Sequence, residues 1–588
     1  MDKSTSSFKK KNNPLDVLFV NLPTYSPDLS TLDDATSGDS LTPPLGILYL
    51  SHSIKDCSFV SSYQCADFSA DFKLPDLRDF LEKNSLPEFV NKKLKETVPN
   101  KPDVVAISLM FSSTYDFFQI VIEEIKKCWE DAVIIVGGVH ASNTVDYLLT
   151  NNPIDYIICG EGEEAFPSFI EMIATDTAKK ILGLHSSGNI KRMADNSFEK
   201  TATIENFDID YTTYPNVIDM EVYTSGTSMF SLSKTNIATP AFSIMSSRGC
   251  PYHCTFCASH TVQGRGSRWR DLENVIDEIY WLNKNYGTTK YYLVDDNFVP
   301  KSKAVELFNK LADVDIEGFE IVIQNMSINA TDFKIIDAII AARINYIAFA
   351  IESGSPVIQD KIKKWVKLEK AKDLVRYSQK KGLNVRCFYI IGFPGETIGE
   401  MEETFKYAEE LGADWSTFSV ASPIPGTEMY KEFIELGYIA DGPSSWTGTS
   451  IRDRTFDTKE MSKENIKELA YRANLKVNFI DNINIKNLDF KNTETIFTNF
   501  VAIYDFHIFA YDCLRRVYKA TGNSEKEFET IETMKALVSS NDKSRASRKY
   551  WDLLDDEILA HLNGSVEMTK EEVLTHPGGS GYRFDHSN

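Results

Sequence analysis

Apolar positions along this chain fall into two patterns, short unbroken runs and helically spaced stripes, and the two alternate through most of its length. Val17-Leu-Phe-Val-Asn21, Val104-Val-Ala-Ile-Ser108, Val133-Ile-Ile-Val-Gly137 and Tyr156-Ile-Ile-Cys-Gly160 lack the in–out alternation of a half-solvated strand. Runs of this kind predict parallel strands covered on both faces. The helical stretches between them make residues 14–170 a doubly wound α/β sheet. Each run ends in small or turn-forming residues: Asn21-Leu-Pro23, Ser108 through Ser113, Gly137-Gly-Val-His140 and Gly160-Glu-Gly162. Those are the carboxyl ends of strands, where open α/β sheets bind ligands.

Residues 171–240 are polar and weakly periodic, and read as a connector without a functional assignment. From 241 the alternation restarts, with strand-like runs at Phe242-Ser-Ile-Met245, Lys290 to Val294, Phe319 to Ile323, Asn345 to Ile351, Val385 to Ile391 and Trp415 to Val420. Amphipathic segments separate them; in Leu272 to Tyr286, Val275, Ile276, Ile279 and Leu282 share a face. Six strand–helix units make a partial TIM-type barrel, whose chemistry sits at the carboxyl ends of its strands. Those ends read as Asp295-Asp-Asn297, Gln324-Asn325, Glu352-Ser-Gly-Ser355, Gly392-Phe-Pro-Gly-Glu-Thr397 and Ser422-Pro-Ile-Pro-Gly-Thr427. Beyond 430 the chain turns helical, with stretches at Lys463 to Phe479 and Ile496 to Tyr518. The second carries Phe497, Phe500, Tyr504, Phe506, Phe509 and Tyr511, an aromatic stripe that reads first as core.

At 588 residues the chain has room for two or three domains with substantial cores. A formal charge of −22 argues against a nucleic-acid partner, whose phosphates want a basic surface. No run reaches the roughly 18–20 apolar residues of a membrane span. The polar, lysine-bearing start MDKSTSSFKKKNN reads as a disordered leader, so a cytoplasmic location is expected.

The chemistry begins after the first barrel strand. Cys250, Cys254 and Cys257 follow Ser246-Ser-Arg-Gly, one thiolate short of the four that close an iron–sulfur cluster, which leaves one iron open to a small molecule. With His260 the same residues could instead close a Cys3His zinc site. Arg248, Arg265, Arg268 and Arg270 flank the loop, either as anchors for an anionic ligand or as a solvated basic face.

The order C-x-x-x-C-x-x-C with Phe256 before the last cysteine resembles the cluster loop of the radical S-adenosylmethionine (SAM) superfamily, and Ile-Glu-Ser-Gly-Ser, Gly-Phe-Pro-Gly-Glu-Thr and Pro-Ile-Pro-Gly-Thr follow as similar strand-end motifs. Upstream, Pro43-Pro-Leu-Gly46, Gly137-Gly-Val-His-Ala141 and Gly160-Glu-Gly-Glu163 resemble signatures of the cobalamin-binding domain that precedes the barrel in one subfamily, the class B methyltransferase-like enzymes.

The architecture this implies is α/β: a Rossmann-like cobalamin-binding domain (14–170), the connector (171–240), a partial (β/α)6 TIM-type radical SAM barrel (241–430) and a helical C-terminal region (431–575). The leader 1–13 and the tail 576–588 flank them as disordered ends. The implied cofactors are a [4Fe–4S] cluster on Cys250, Cys254 and Cys257, SAM, and cobalamin. For SAM the resemblance implies backbone around Phe256 against the adenine, Asp295 or Asp296 on the amino group, Glu352 and Ser353 on ribose or methionine, and close approach at Gly392. For cobalamin it implies the sheet-end residues Asn21, Pro23, Gly46, Ser108, Ser112, Gly137, Gly138, His140, Gly160, Glu161 and Gly162. The Asp-x-His-x-x-Gly motif that supplies a histidine to cobalt elsewhere is absent, so a lower face without that ligand is expected.

The activity so implied is methylation of an unactivated carbon of a small molecule, through a 5'-deoxyadenosyl radical and methylcobalamin, with an external donor such as ferredoxin or flavodoxin. A cyclase or rearrangement enzyme using the same cofactors is the near alternative. A non-catalytic cobalamin or zinc sensor is a more distant one. Methylthiolation of transfer RNA would want a second cysteine triplet and a basic tail, and the sequence offers neither.

Overall fold

The computed structural model of the protein describes residues 14–24, 41–72, 76–98, 100–194, 197–225, 241–446 and 454–563. The expected leader (1–13) and tail (576–588) lie outside them. The chain folds as two compact units divided between Val477 and Asn478.

The first unit contains two six-stranded sheets. In the first, β1 (Leu15–Asn21), β2 (Val60–Asp67), β3 (Val104–Ser108), β4 (Val133–Gly137), β5 (Tyr156–Ile158) and β6 (Leu184–Ser186) lie in the order β2-β1-β3-β4-β5-β6. All neighbours are parallel except β5 and β6. The order reverses between β1 and β3, which opens a crevice above their carboxyl ends. Asp67, Asn21, Ser108 and Gly137 form one register row across that edge.

Two of these strands were not among the expected runs. β2 has a single neighbour, and Val60 to Cys65 are all half-buried or exposed, so its sequence carries no continuous apolar signal. β6 lies inside the stretch read as a connector and turns back onto β5 as an antiparallel edge.

The second sheet follows β7 (Ala241–Ile244) and a short antiparallel pair, β8 (Ser247–Arg248) with β9 (Arg268–Trp269). It continues with β10 (Lys290–Leu293), β11 (Glu320–Met326), β12 (Tyr346–Glu352), β13 (Asn384–Ile391) and β14 (Trp415–Val420), all parallel, in the order β14-β13-β12-β11-β10-β7. The period-2 alternation of a strand separates its two faces. On β13, Val385, Cys387, Tyr389 and Ile391 join the core beneath the helices Leu368–Lys380 and Ile398–Leu411, through residues such as Leu374, Phe405 and Leu411. Arg386, Phe388 and Ile390 face the other way and stay half-buried.

Thr397 starts the helix Ile398–Leu411 with a capping box. Its hydroxyl accepts from the Glu400 N–H at 3.3 Å, and the Glu400 carboxylate accepts from the Thr397 N–H at 2.7 Å. The helix Lys463–Leu475 closes the unit, placing Ile466, Ala470 and Ala473 in the same core as Phe418 and Val420 of β14.

The second unit is helical, with Phe490–Ile503, Ile508–Ala520 and Ser524–Ser540 as its main elements. The stretch expected to run unbroken from 496 to 518 is interrupted between Ile503 and Ile508, where the His507 Nδ1 accepts from the Ala510 N–H at 3.3 Å and caps the second helix. His507 also stacks on Phe479 at 4.7 Å, and Phe497, Phe500 and Phe509 are core, as the stripe predicts. Among the described residues no helix is long and apolar enough to cross a membrane.

Candidate functional site

The segment between β8 and β9 is a closed loop because its two ends pair, Ser247 opposite Trp269 and Arg248 opposite Arg268. Gly249 enters the loop at φ +83°, and a Cβ there would collide with the Gly266 carbonyl across the neck, so glycine is required. Cys250, Cys254 and Cys257 sit on this loop, half-buried, with no disulfide among them. Burial pushes the Cys257 thiol up to about 11, and the neighbouring Asp296, Cys254 and Cys250 add to the shift. Cys254 is also raised by burial, against the pull of the Lys364 ammonium.

A tetrahedral zinc draws its donors to about 2.0–2.3 Å from one point. Among the described residues no three His, Cys, Asp or Glu side chains stand grouped as they would around a single bound ion. Iron–sulfur clusters take thiolates as their protein ligands, and this one loop carries three free cysteines.

The loop is gripped from the barrel by the residues that follow β10. Asp295 is buried, and its Oδ1 accepts from the hydroxyls of Ser246 at 2.7 Å and Ser247 at 2.6 Å and from the Ser247 N–H. Burial nevertheless pushes it up to about 6. The Asp296 Oδ2 accepts from the Ser259 hydroxyl at 2.7 Å, two residues past Cys257, and the Asn297 amide donates to the Cys250 sulfur at 3.8 Å. The two aspartates expected on a ligand amino group thus hold the loop itself. Thr255 donates its N–H to the Ile362 carbonyl and accepts from the Met429 N–H, each at 3.0 Å.

From the first sheet the grip is ionic. Glu161, at the end of β5, is buried and accepts from Arg268 at 2.7 and 2.9 Å, from Arg248 at 3.3 Å and from the Ile204 N–H at 2.7 Å. Arg248 also reaches Glu163 at 2.7 Å and lies over the rings of Tyr49 and Phe207 at 4.5 and 4.6 Å. Arg270 is buried against Glu278 at 2.7 Å. Arg248, Arg268 and Arg270 are therefore neither solvated nor open to a ligand, while Arg265 is half-buried and donates to the Tyr252 carbonyl at 2.9 Å. Glu161, expected at the corrin, is committed to the loop neck. Asn143 adds a bond from the same side, donating to the Thr261 hydroxyl at 2.9 Å.

The remaining expected residues fall at the sheet ends. Glu352 terminates β12 at φ +71°, a left-handed position for a side-chain-bearing residue that costs on the order of 1–3 kcal/mol and clusters at functional sites. Its Oε1 pairs with Lys364 at 3.1 Å. Burial alone would lower the Lys364 ammonium, yet Glu352 and Cys254 hold it above its ordinary value. Lys364 stands 6.0 Å from the Phe256 ring centroid, and that ring lies 5.9 Å from Phe393. Ser353 is buried and shares its hydroxyl with Thr404 at 2.9 Å. Gly392 has φ +81°, and the space its Cβ would take is filled by Ile466, so here glycine is required by protein packing.

At the first sheet Asn21 donates to Asp67 at 2.8 Å, Pro23 is buried beyond β1, and Ser112 lies 2.8 Å from the His140 Nδ1. Gly138 has φ +106°, with the Leu109 carbonyl 2.6 Å from where a Cβ would stand. Gly160 faces Thr201 and Gly162 faces Leu50 in the same way, whereas Gly46, in the helix Leu45–Ile54, has open space. His140 is buried edge-on to Trp446 at 4.7 Å, and burial holds it down at about 3, so it is neutral. Trp446 and Lys364 carried no motif signal, and Asn297 enters only as part of the Asp295-Asp-Asn297 strand end. Lys364 was findable only as a lysine close in sequence to the Glu-Ser-Gly-Ser end.

Known proteins bear on this arrangement in three ways. A family model described as the radical SAM superfamily matches residues 244–408, and one described as the B12 binding domain matches residues 35–170. An uncharacterized methyltransferase of Pyrococcus horikoshii is 28% identical over 437 residues, 73% of this chain and 86% of the relative. The cytidylyl-2-hydroxyethylphosphonate methyltransferase of Streptomyces wedmorensis is 28% identical over 369 residues, 58% of this chain and 68% of that protein. An anaerobic magnesium-protoporphyrin IX monomethyl ester cyclase of Rubrivivax gelatinosus is 24% identical over 341 residues, 56% of this chain and 58% of that one. Among solved structures, the radical SAM methyltransferase TsrM of Kitasatospora setae superposes with a TM-score of 0.56 at 18% identity, over 73% of this chain and 78% of that one, a likeness of fold.

Replacing Glu161 by Ala would strip Arg268 of the one carboxylate it is paired with among the described residues and leave two buried guanidinium groups short of charge. A loss of about 3–5 kcal/mol is expected, with Gln recovering part of it, as read by denaturant unfolding. Glu396 gives a pH test. Its Oε2 accepts from the N–H groups of Gly392 at 2.6 Å and Phe393 at 2.9 Å, its Oε1 has no hydrogen-bond partner among the described residues, and burial pushes it up to about 8. Because the folded value lies above the unfolded one, the stability this group contributes is complete at acid pH and is lost as pH rises through about 8. The thermal midpoint should fall between about pH 4.5 and 8 in the native protein, with no further contribution from this group above 8, and that fall should shrink in Glu396→Gln.

Proposed function

From the premise that the chain belongs to the radical SAM enzymes with a cobalamin-binding domain, we propose that it methylates an unactivated carbon of a small-molecule substrate. Its cofactors are a [4Fe–4S] cluster, SAM and cobalamin. When bound, the cluster supplies the electron that splits one SAM and the corrin carries the methyl group taken from another; the protein's task is to position them. The observation that best supports this reading is the Glu161 contact, because it ties an end of the first sheet to the neck of the loop that bears the three thiols.

In this proposal Cys250, Cys254 and Cys257 hold the cluster and leave one iron for SAM. Asp295, Asp296 and Asn297 fix the loop. Phe256 and Phe393 screen its inner side from water, which influences the potential of a cluster. The adjacent Glu352 carboxylate and Lys364 ammonium complement the amino and carboxylate ends of SAM. The crevice bordered by Asn21, Ser108, Ser112, Gly137 and Gly138 takes the corrin. Reducing equivalents come from an external one-electron carrier of the ferredoxin or flavodoxin kind.

The relatives named as cyclases favour a second reading, in which the same cofactors act without methyl transfer. Anaerobically reconstituted protein should carry about four irons per chain, and Cys250→Ala, Cys254→Ala and Cys257→Ala combined should remove them while corrin binding persists. With substrate, a methylase forms 5'-deoxyadenosine and S-adenosylhomocysteine in near-equal amounts, measured by chromatography. Deoxyadenosine formed with no S-adenosylhomocysteine above background would replace methylation by the cyclase reading.

A further inference from the structure

The inner face of β13 carries a cation, Arg386, that has no part in the cofactor sites proposed above. Arg386, Phe388 and Ile390 alternate with residues buried under the outer helices, so all three line the interior of the partial barrel. Ile390 and Phe256 pack against the same small apolar cluster, which places the upper end of this stripe beside the cysteine loop. Arg386 lies four residues lower, about 13 Å along the strand at roughly 3.3 Å per residue.

Its side chain leans toward the open end. The Nε donates to the Thr417 hydroxyl at 2.8 Å, and the guanidinium carbon stands 4.9 Å from the Phe388 ring centroid. On the other side it meets the Tyr346 phenol, a hydrogen-bonding and electrostatic partner. Among the described residues no carboxylate pairs with Arg386. The other cation of the inner face, Lys290 on the lower end of β10, is matched by Glu320 at 3.7 Å. Val294, Gln324, Thr417 and Ser419 are half-buried like Arg386 and Phe388, so the interior around the guanidinium is not sealed.

A half-buried guanidinium held at its Nε by the Thr417 hydroxyl and on its other side by the Tyr346 phenol, beside a partly apolar space, is preorganised to take an oxyanion on the N–H groups these partners leave over. The cost of holding such a cation without a counter-charge is offset when an anion arrives. We infer that the substrate carries an anionic oxygen group, a carboxylate, phosphate or phosphonate, which Arg386 binds within the barrel while the reacting carbon lies nearer Phe256. This rests on the reading of the barrel as the reaction site, and it adds the chemical class of the substrate. The spacing sets its form: the anion and the reacting carbon are separate parts of the molecule, no more than about 13 Å apart.

The test uses the reconstituted holoenzyme and two probes, phenylphosphonate and its neutral counterpart benzyl alcohol. Isothermal titration should show phenylphosphonate binding that weakens tenfold or more in Arg386→Gln and is partly restored in Arg386→Lys, with benzyl alcohol bound equally by all three. Phenylglyoxal should label Arg386 in the native protein, located by peptide mass, and phenylphosphonate should block that labelling. Iron content and SAM binding are measured on the same samples, so a defect there counts against the proposed function and not against this inference. Absence of phenylphosphonate binding to the native protein, equal affinity in Arg386→Gln, or unprotected labelling would each overturn it.

Discussion

One carboxylate governs the geometry of this protein. Glu161 is removed from water and serves two arginines that stand opposite each other across a two-strand neck. Burying three charges costs several kcal/mol per ion, and attraction repays it only when nearly every donor is satisfied. Here that condition is largely met: Arg268 also donates to the Ile204 and Gln263 carbonyls at 2.5 and 2.6 Å, and the flat faces of Arg248 are covered by aromatic rings. Such an arrangement has one low-energy geometry. The neck therefore sits where the end of β5 puts it, and the cysteines, a few residues further on, inherit that position. Asp295 repeats the device from the barrel side with neutral donors, fixing Ser246 and Ser247.

Most of the architecture was legible because its strands are buried on both faces. Four of the six strands in the first sheet announce themselves as unbroken apolar runs, and the six barrel strands as apolar-rich stretches separated by amphipathic helices. The exceptions are instructive: both are edge strands, β2 half-buried or exposed over most of its length and β6 only three residues long, and only a fully covered strand must be apolar at every position.

The site was legible by residue type more than by role. The cysteine spacing and the strand-end motifs mark positions that the fold brings to one region, yet Asp295, Asp296, Ser353 and Glu161 all spend their side chains on protein. A motif records that a residue is needed near the chemistry; whether it touches a ligand or steadies a neighbour depends on partners far away in sequence. Ile466, which fills the space beside Gly392, comes from a helix 74 residues on. Arg386 gave no signal at all, because a lone arginine in an apolar strand has no periodic meaning until the two faces of that strand are known.

The second sheet stops at six strands, and its first and last, β7 and β14, each have a single strand neighbour. A closed barrel fixes its own diameter, because every strand is hydrogen-bonded on both sides and any widening breaks a ladder. A sheet with a seam is free of that restriction. Side chains on the inner faces of β13 and β14 can be exchanged, and the gap reshaped for a larger or smaller guest, without disturbing one backbone bond of the layer that carries the cysteine loop. Diversification of guests and preservation of the radical-generating apparatus thus fall on different parts of the molecule, and a lineage could explore the first while selection holds the second still.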